Sequence, residues 1–314
     1  MKIKLLTTII AGVLLVGCGG NDNSVDDDKD NKNTKVLAFD GAINGMVANY
    51  ICADGTSGTT ATKTDGYGFI TIISNTFANQ PETCSLLLNV PKDSKAVDMS
   101  NNKDMSKVTY AIPQGLLVKG QKIAATPFTT LIDKAIKQSG ETNPENIDIN
   151  AIIAEVFSDL KITVDPIKLM SDPIATLATL DDHTAQDILA KTMVLSDILV
   201  THKDDKSIST TNIAAATVTV AANVITNNTK FPIDKDSGYI ICIDLTDELA
   251  DKSNFNAAAS GNVPSVVVDA NTNPTLVPEA DLPDPENPPV DPTPEPVPPP
   301  TGGTGGDDGQ NPNG

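Results

Sequence analysis

Two stretches of this chain cannot build a core, and they set how much of it is free to fold. Residues 19–34 read Gly-Gly-Asn-Asp-Asn-Ser-Val-Asp-Asp-Asp-Lys-Asp-Asn-Lys-Asn-Thr, with Val25 the one apolar side chain. A segment this polar buries too little surface to offset the entropy of ordering it. At the other end, Pro283 to Pro300 alternates proline with acids, which favours extended polyproline backbone, and Gly302 to Gly314 is loose coil. Residues 36–262 remain, enough for one large or two small domains. The Asp26-Asp27-Asp28 run lacks the spaced ligands and turn glycine of an EF-hand loop and reads as solvated spacer.

Charge narrows the partners. The formal net charge is −19, the basic residues are all lysine, and tryptophan is absent. Nucleic-acid binding needs clustered cations and stacking platforms, and the sequence supplies neither. Arginine, the usual bidentate clamp on phosphate or carboxylate, is also missing.

The N-terminus carries an address. Lys2 and Lys4 precede an apolar run from Leu5 to Val16, followed by Leu15-Val16-Gly17-Cys18. A basic start, a short apolar stretch and small residues at a cut site read as a secretory signal over residues 1–17. The run is too short to span a bilayer. The Leu-Val-Gly-Cys ending resembles the lipobox of bacterial lipoproteins. That resemblance implies cleavage before Cys18, lipidation of Cys18, and a membrane partner through the lipid. Residues 18–35 then form the lipidated cysteine and a disordered tether. In well-studied lipoproteins of double-membraned bacteria, Asp after the cysteine favours the inner membrane, so Gly19 implies the outer membrane.

Residues 36–125 read as β structure. Val36 to Phe39, Met46 to Cys52, Gly68 to Ile73, Cys84 to Val90 and Lys107 to Ile112 are short apolar or alternating runs. Asn44-Gly45 and the Gly/Thr/Asp-rich stretch 55–68 supply turns and edges. Phe39-Asp40-Gly41-Ala42-Ile43-Asn44-Gly45-Met46-Val47, Cys52-Ala53-Asp54-Gly55-Thr56 and Thr64-Asp65-Gly66-Tyr67-Gly68-Phe69 together resemble a carboxypeptidase-regulatory-like sandwich. That resemblance implies a non-catalytic β module. The following Ala125-Thr126-Pro127-Phe128-Thr129-Thr130-Leu131 is similar to the "T-P-L-T-T-L" segment that follows such sandwiches in some large bacterial surface lipoproteins, with Phe128 in place of leucine.

Residues 126–262 read as helical. Leu131, Ile132, Ala135 and Ile136 share a helical face that Gly140 ends. Asn150 is placed to cap a helix to Leu160, and Asp172-Pro173 is a cap with proline at the first helical position. Asp182 is placed to cap a long helix through about His202, with Ile188, Leu189, Met193, Leu195, Ile198 and Leu199 on its buried face. Residues 210–226 have helical spacing despite many β-branched side chains. Residues 239–245 are a short apolar run, either a strand or a buried helix turn, and Thr246 is placed to cap a last helix through Ala258. Residues 263–314 read as a Pro/Gly-rich disordered tail, with Val263 to Val268 extended. The expected fold is α+β: a small antiparallel β-sandwich, then a mainly helical domain, between a disordered tether and tail.

Three further cysteines allow one bridge. Cys52 with Cys84 is the expected pair because both fall in the β region, leaving Cys242 as a thiol; Cys84–Cys242 and Cys52–Cys242 are the competing pairings. His183 and His202 lie at opposite ends of one helix, too far apart to share a metal or substrate. His183 reads as an exposed helix-start residue, and His202 as placed for the helix dipole. No zinc, nucleotide or nucleophile-elbow motif is found, so no cofactor, metal or catalytic residue is expected. The acid pairs Asp181/Asp182 and Asp247/Glu248 are the material for the alternative, a carboxylate-dependent hydrolase. The favoured expectation is a non-catalytic lipoprotein of the outer membrane or cell surface, meeting an envelope or host protein or glycan. A periplasmic partner of a transport or secretion machine is the third reading.

Overall fold

The structure, a computed structural model, describes residues 33–290 except Thr142 and Asn273. The signal segment, Cys18, tether residues 18–32 and tail residues 291–314 lie outside the described residues. In chain order the elements are β1 (Asn33–Ala38), β2 (Ile43–Asn44), β3 (Val47–Cys52), β4 (Ser57–Thr59), β5 (Phe69–Ile73), α1 (Asn75–Asn79), β6 (Cys84–Asn89), β7 (Val97–Asp98), β8 (Thr109–Ile112) and β9 (Ile123–Ala125). Helices α2 (Pro127–Ser139), α3 (Ile149–Asp159), α4 (Pro166–Ser171), α5 (Pro173–Ala178), α6 (Asp182–His202) and α7 (Thr210–Asn227) follow. The chain then runs through β10 (Ile240–Cys242), α8 (Thr246–Ala250), α9 (Lys252–Ala259), α10 (Ser265–Thr272) and β11 (Thr275–Val277).

Two sheets face each other in the first part. One has the order β4-β3-β6-β8, antiparallel throughout, with Cys52 directly opposite Cys84. The other has the order β5-β1-β9, where β1 pairs antiparallel with β5 and parallel with β9. Alternation along β1 explains how the two parts of the molecule join. Val36 and Ala38 point into the core between the sheets, while Leu37 and Phe39 point into the core under the helices. A strand buried on both faces reads as a continuous apolar run, and Val36 to Phe39 does. The three-stranded sheet is therefore a wall shared by both cores.

The Thr-Pro-Phe-Thr-Thr-Leu segment makes the turn from that wall into the helices. Thr126 follows β9 and caps α2: its Oγ1 accepts from the Thr129 amide at 3.2 Å, and Thr129 Oγ1 accepts from the Thr126 amide at 3.0 Å. Pro127 occupies the first turn, where no amide partner is needed. Thr130 Oγ1 donates to the Thr126 carbonyl and accepts from the Ala111 amide at 2.9 Å, tying the helix start to β8. Each threonine thus has a structural duty. Gly140, at φ +73°, closes the helix.

Helix α6 is the axis of the second part, buried continuously from Ile188 to Leu199. Helix α7 packs along it through Ala214, Val220, Ala221 and Val224. The β-branched residues of α7 do not break it, because Thr217, Thr219 and Thr226 donate to carbonyls four residues back at 2.7 to 2.9 Å.

Several boundaries differ from the sequence reading. Strand β1 begins at Asn33, inside the expected tether, because Asn33 to Lys35 pair with β5 and Lys35 Nζ lies 3.9 Å from the centre of the Phe69 ring. Asp148 caps α3 rather than Asn150, and Asp181 caps α6 rather than Asp182. The expected single helix from Thr246 to Ala258 is broken at Asp251, whose carboxylate caps α9. The largest correction concerns the tail. Residues 265–272 are helical, with Val267 buried, and β11 pairs antiparallel with β10. Pro285 packs so closely on Gly66 that a Cβ there would lie 2.2 Å from the Pro285 carbonyl oxygen. The prolines and acids masked an apolar set, Val266 to Val268 with Leu276 and Val277, that had a surface to join.

Candidate functional site

A cluster of polar side chains lies buried where the β part meets α6. Asp40 stands in the turn after β1. Asp98 ends β7, and the tight loop that follows turns Lys103 inward: the Asp98 amide donates to the Lys103 carbonyl at 3.0 Å and the Asn102 amide to the Asp98 carbonyl at 2.9 Å. Asn102 takes a left-handed φ of +61° to close that loop. Tyr110 comes from β8, and Ser196 and Asp197 from α6. All six, Asp40, Asp98, Lys103, Tyr110, Ser196 and Asp197, are at most 4 % exposed. Gly41 lets the turn approach: a Cβ there would lie 2.2 Å from Asp98 Oδ1.

Lys103 Nζ forms an ion pair with Asp197 Oδ1. The same carboxylate accepts from the Leu245 amide on Oδ2 at 2.9 Å and from Thr246 Oγ1 on Oδ1 at 3.2 Å. Tyr110 donates to Asp40 Oδ2 at 3.2 Å, and its hydroxyl lies 2.8 Å from Ser196 Oγ. Asp98 Oδ1 accepts from the Ser100 amide and hydroxyl at 2.8 and 2.6 Å. Among the described residues, three buried side-chain atoms have no hydrogen-bond partner: Asp40 Oδ1, Asp98 Oδ2 and Asn101 Nδ2.

One lysine therefore faces three buried carboxyls, and the protons redistribute. Burial, with the Asp98 charge added, pushes Asp40 up to about 8, so it holds its proton at neutral pH. Burial also raises Asp98 and Asp197. For Lys103 burial acts to lower the value, but the charges of Asp197 and Asp40 outweigh it and hold the ammonium well above its usual range. Burial and the neighbouring Asp40 raise the Tyr110 phenol.

The outer sides of Lys103 and Asp197 line a cleft of about 260 Å³, walled further by Asp104, Lys107, Asp244, Thr246, Asp247 and Glu248. At Asp244 the desolvation of a half-buried position is outweighed by the Lys103 charge and by hydrogen bonds from Thr246, and the carboxylate sits below its ordinary value. Asp247 stands in the open and pairs with Lys107 at 3.7 Å. Asp40, the carboxyl that retains a proton, is not among the cleft walls.

The residues singled out from sequence scatter. Cys52 and Cys84 form a disulfide within the β part, which sets aside both competing pairings. Cys242 is a free thiol in β10, and burial pushes it up to about 11. His183 is exposed at the start of α6. His202 ends α6 but is buried rather than solvated at the helix terminus; its Nε2 lies 2.8 Å from the Leu249 carbonyl and its ring centre 4.5 Å from that of Phe255. Asp181 caps α6, and Asp182 beside it is exposed. Asp247 and Glu248 reach the cleft, but the two histidines do not. Among the described residues, no group of three or more His, Cys, Asp and Glu side chains could hold a metal ion. No helix of the described residues is long and apolar enough to cross a membrane.

Comparison with protein-family models, with curated proteins and with solved structures finds no match to this chain.

The proton on Asp40 has a measurable consequence. The folded chain keeps it up to about pH 8, and the unfolded chain releases it above 3.8. Asp40 thus contributes stability that is full below 3.8 and lost as pH rises through 8. The urea midpoint of the wild type is expected to fall between about pH 6 and about pH 9, while Asp40→Asn flattens that slope and gains roughly 1–2 kcal/mol over wild type at the upper end. An unchanged slope in the variant would assign the titration to another group.

Proposed function

We propose that this chain is a non-catalytic lipoprotein of the outer membrane or cell surface, with a folded body held through Cys18 and a role in display, adhesion or envelope assembly. The observation that carries the reading is the Cys52–Cys84 disulfide in a body preceded by a basic-apolar segment ending in Leu15-Val16-Gly17-Cys18. Disulfides persist in oxidising compartments, and the leader directs a chain to one. Against catalysis stands the separation of parts. The protonated carboxyl is sealed away from the cleft, and the exposed Asp247 is occupied by Lys107. A general acid must reach its substrate within hydrogen-bond distance.

The test is fractionation and protease treatment of intact cells, comparing wild type with Cys18→Ala. The wild-type protein is expected in the membrane fraction, labelled by a fatty-acid analogue and cut by external protease. The variant is expected to carry no label and to leave the membrane. One acyl chain holds a protein only marginally and several hold it firmly, so loss of the cysteine should release the whole population. A wild-type protein released without detergent overturns the anchor. A wild-type protein protected until the outer membrane is breached places the body in the periplasm and overturns the surface role.

A further inference from the structure

We infer that the end of the body where β1 begins is a membrane-contact face. Val118, Ile73 and Ile167 form its apolar tip, and Lys119, Lys122 and Lys168 meet the lipid phosphates around it. The inference rests on the lipid anchor proposed above and adds where the anchored body sits: on the bilayer itself.

Topology brings these side chains to one end. Strands β1 and β9 run parallel, with Val36 opposite Ile123, so the loop leading into β9 reaches the same end of the shared wall as Asn33. Strand β5 runs the other way and finishes there, with Ile73 opposite Asn33. Lys119 Nζ donates to Asn79 Oδ1 at 3.3 Å, which ties the loop to α1 just after β5. Val118 and Ile167 line one groove with Lys122, between that loop and α4. Residues 19–32 join Asn33 to Cys18, and at full stretch they reach about 50 Å. The end that carries the apolar tip is therefore the end tied to the lipid.

Exposure and charge agree with that placement. Ile73 is 71 % exposed, Val118 47 % and Ile167 43 %. Leu117, beside Val118, is buried in the core between the sheets and holds the loop down. The Gln121 amide donates to the Val118 carbonyl at 3.1 Å, and this turn leaves Val118 and Lys119 facing solvent. In a chain of net charge −19, the stretch between Asp104 and Asp133 holds Lys107, Lys119 and Lys122 and no acid. Two acids nearby are engaged: Asp165 caps α4, and Asp172 caps α5 and pairs with Lys122. Glu82, whose carbonyl accepts from the Gly115 amide at 2.9 Å, is an exposed acid at the edge of the face. Lysine lays its methylenes along apolar surface and keeps its ammonium among phosphates, while valine and isoleucine enter the acyl boundary. Three apolar side chains are too few to hold a free protein on a bilayer. An anchor changes that, because it makes the second contact intramolecular, at an effective concentration in about the millimolar range.

The test uses the lipidated protein in vesicles of phosphatidylethanolamine and phosphatidylglycerol, with Cys242→Ser so that one introduced thiol takes a fluorophore. Val118→Cys places the fluorophore on the tip. Glu286→Cys is the control: it is exposed and follows Pro285, which packs on Gly66, before the opposite end of β5. Spin-labelled acyl chains are expected to quench residue 118 roughly twofold or more over residue 286, since only the tip enters the acyl boundary. Adding Lys119→Glu is expected to weaken quenching at residue 118 while the protein stays on the vesicles. Equal quenching at the two positions, with the protein still bound, overturns the inference and leaves the anchor standing; the body then stands off the bilayer, or the acidic Asp26-Asp27-Asp28 run covers the lysines. Quenching unmoved by Lys119→Glu overturns the part given to lysine. Protein that floats free of the vesicles overturns the anchor and this inference with it.

Discussion

Lys103→Met is expected to cost on the order of 3–5 kcal/mol of unfolding free energy, the range for removing one partner of a buried charge pair. Methionine fills most of the volume of lysine, so the loss is not a cavity effect. It arises because Asp197 would remain 1 % exposed with no cation beside it, and because Asp40 and Asp98 would lose the charge that lowers them. The companion variant separates charge from packing. Lys103→Met with Asp197→Leu removes both charges and is expected to recover most of the loss, since matched apolar replacements of buried pairs are often near neutral. Recovery should stop short of wild type by about 1–3 kcal/mol, because the Leu245 amide and the Thr246 hydroxyl would then lack their acceptor. Urea unfolding followed by far-ultraviolet circular dichroism measures all three proteins. A single variant within 1 kcal/mol of wild type would show that water or a shifted backbone solvates Asp197.

The parts of this molecule that were legible in the sequence are those whose signal is local. Asp172-Pro173 announces a helix start because capping acts within one turn. Asn44-Gly45 announces a turn because Gly45, at φ +104°, lacks the Cβ that would meet the Lys95 carbonyl oxygen at 2.3 Å. The long α6 was legible from the spacing of Ile188, Leu189, Met193, Leu195 and Ile198. The buried cluster was not, although one clue stood in plain view. Asp197 follows Met193 by four residues on the buried face of α6, where an acid must find a partner. Nothing local says which of 22 lysines that partner is. Lys103 sits in the polar run Asp98-Met-Ser-Asn-Asn-Lys-Asp, which reads as surface loop, and only the closing of the β part on α6 brings it inside. Asp40 misleads for a related reason, since Asp-Gly after a strand is an ordinary turn signal. The segment after residue 262 failed the other way. Its composition suggests a stalk, yet β11 completes a ladder with β10 that no sequence window contains.

Breaking the Cys52–Cys84 bridge is expected to cost roughly 3–4 kcal/mol, from the entropy of leaving open a loop of this length in the unfolded chain. The separation is 32 residues, and the two cysteines face each other at the end of the β3–β6 ladder. The loop between them contains β4, β5 and α1, so the bridge restrains the part of the sandwich that carries the edge strand and one whole strand of the shared wall. Cys52→Ala with Cys84→Ala is expected to lose this amount, and dithiothreitol should lower the wild-type urea midpoint toward the variant's while leaving the variant unmoved. Cys242→Ser is expected to stay well under 1 kcal/mol, since this half-buried thiol closes no loop. Its thiolate, pushed to about 11, is also a poor partner for exchange with the bridge. If dithiothreitol lowers the double alanine variant as much as the wild type, the restraint lies elsewhere in the chain. If reduction leaves the wild type unmoved while the double variant is weakened, the loss belongs to packing of the two sulfurs in the core between the sheets and not to the covalent bond.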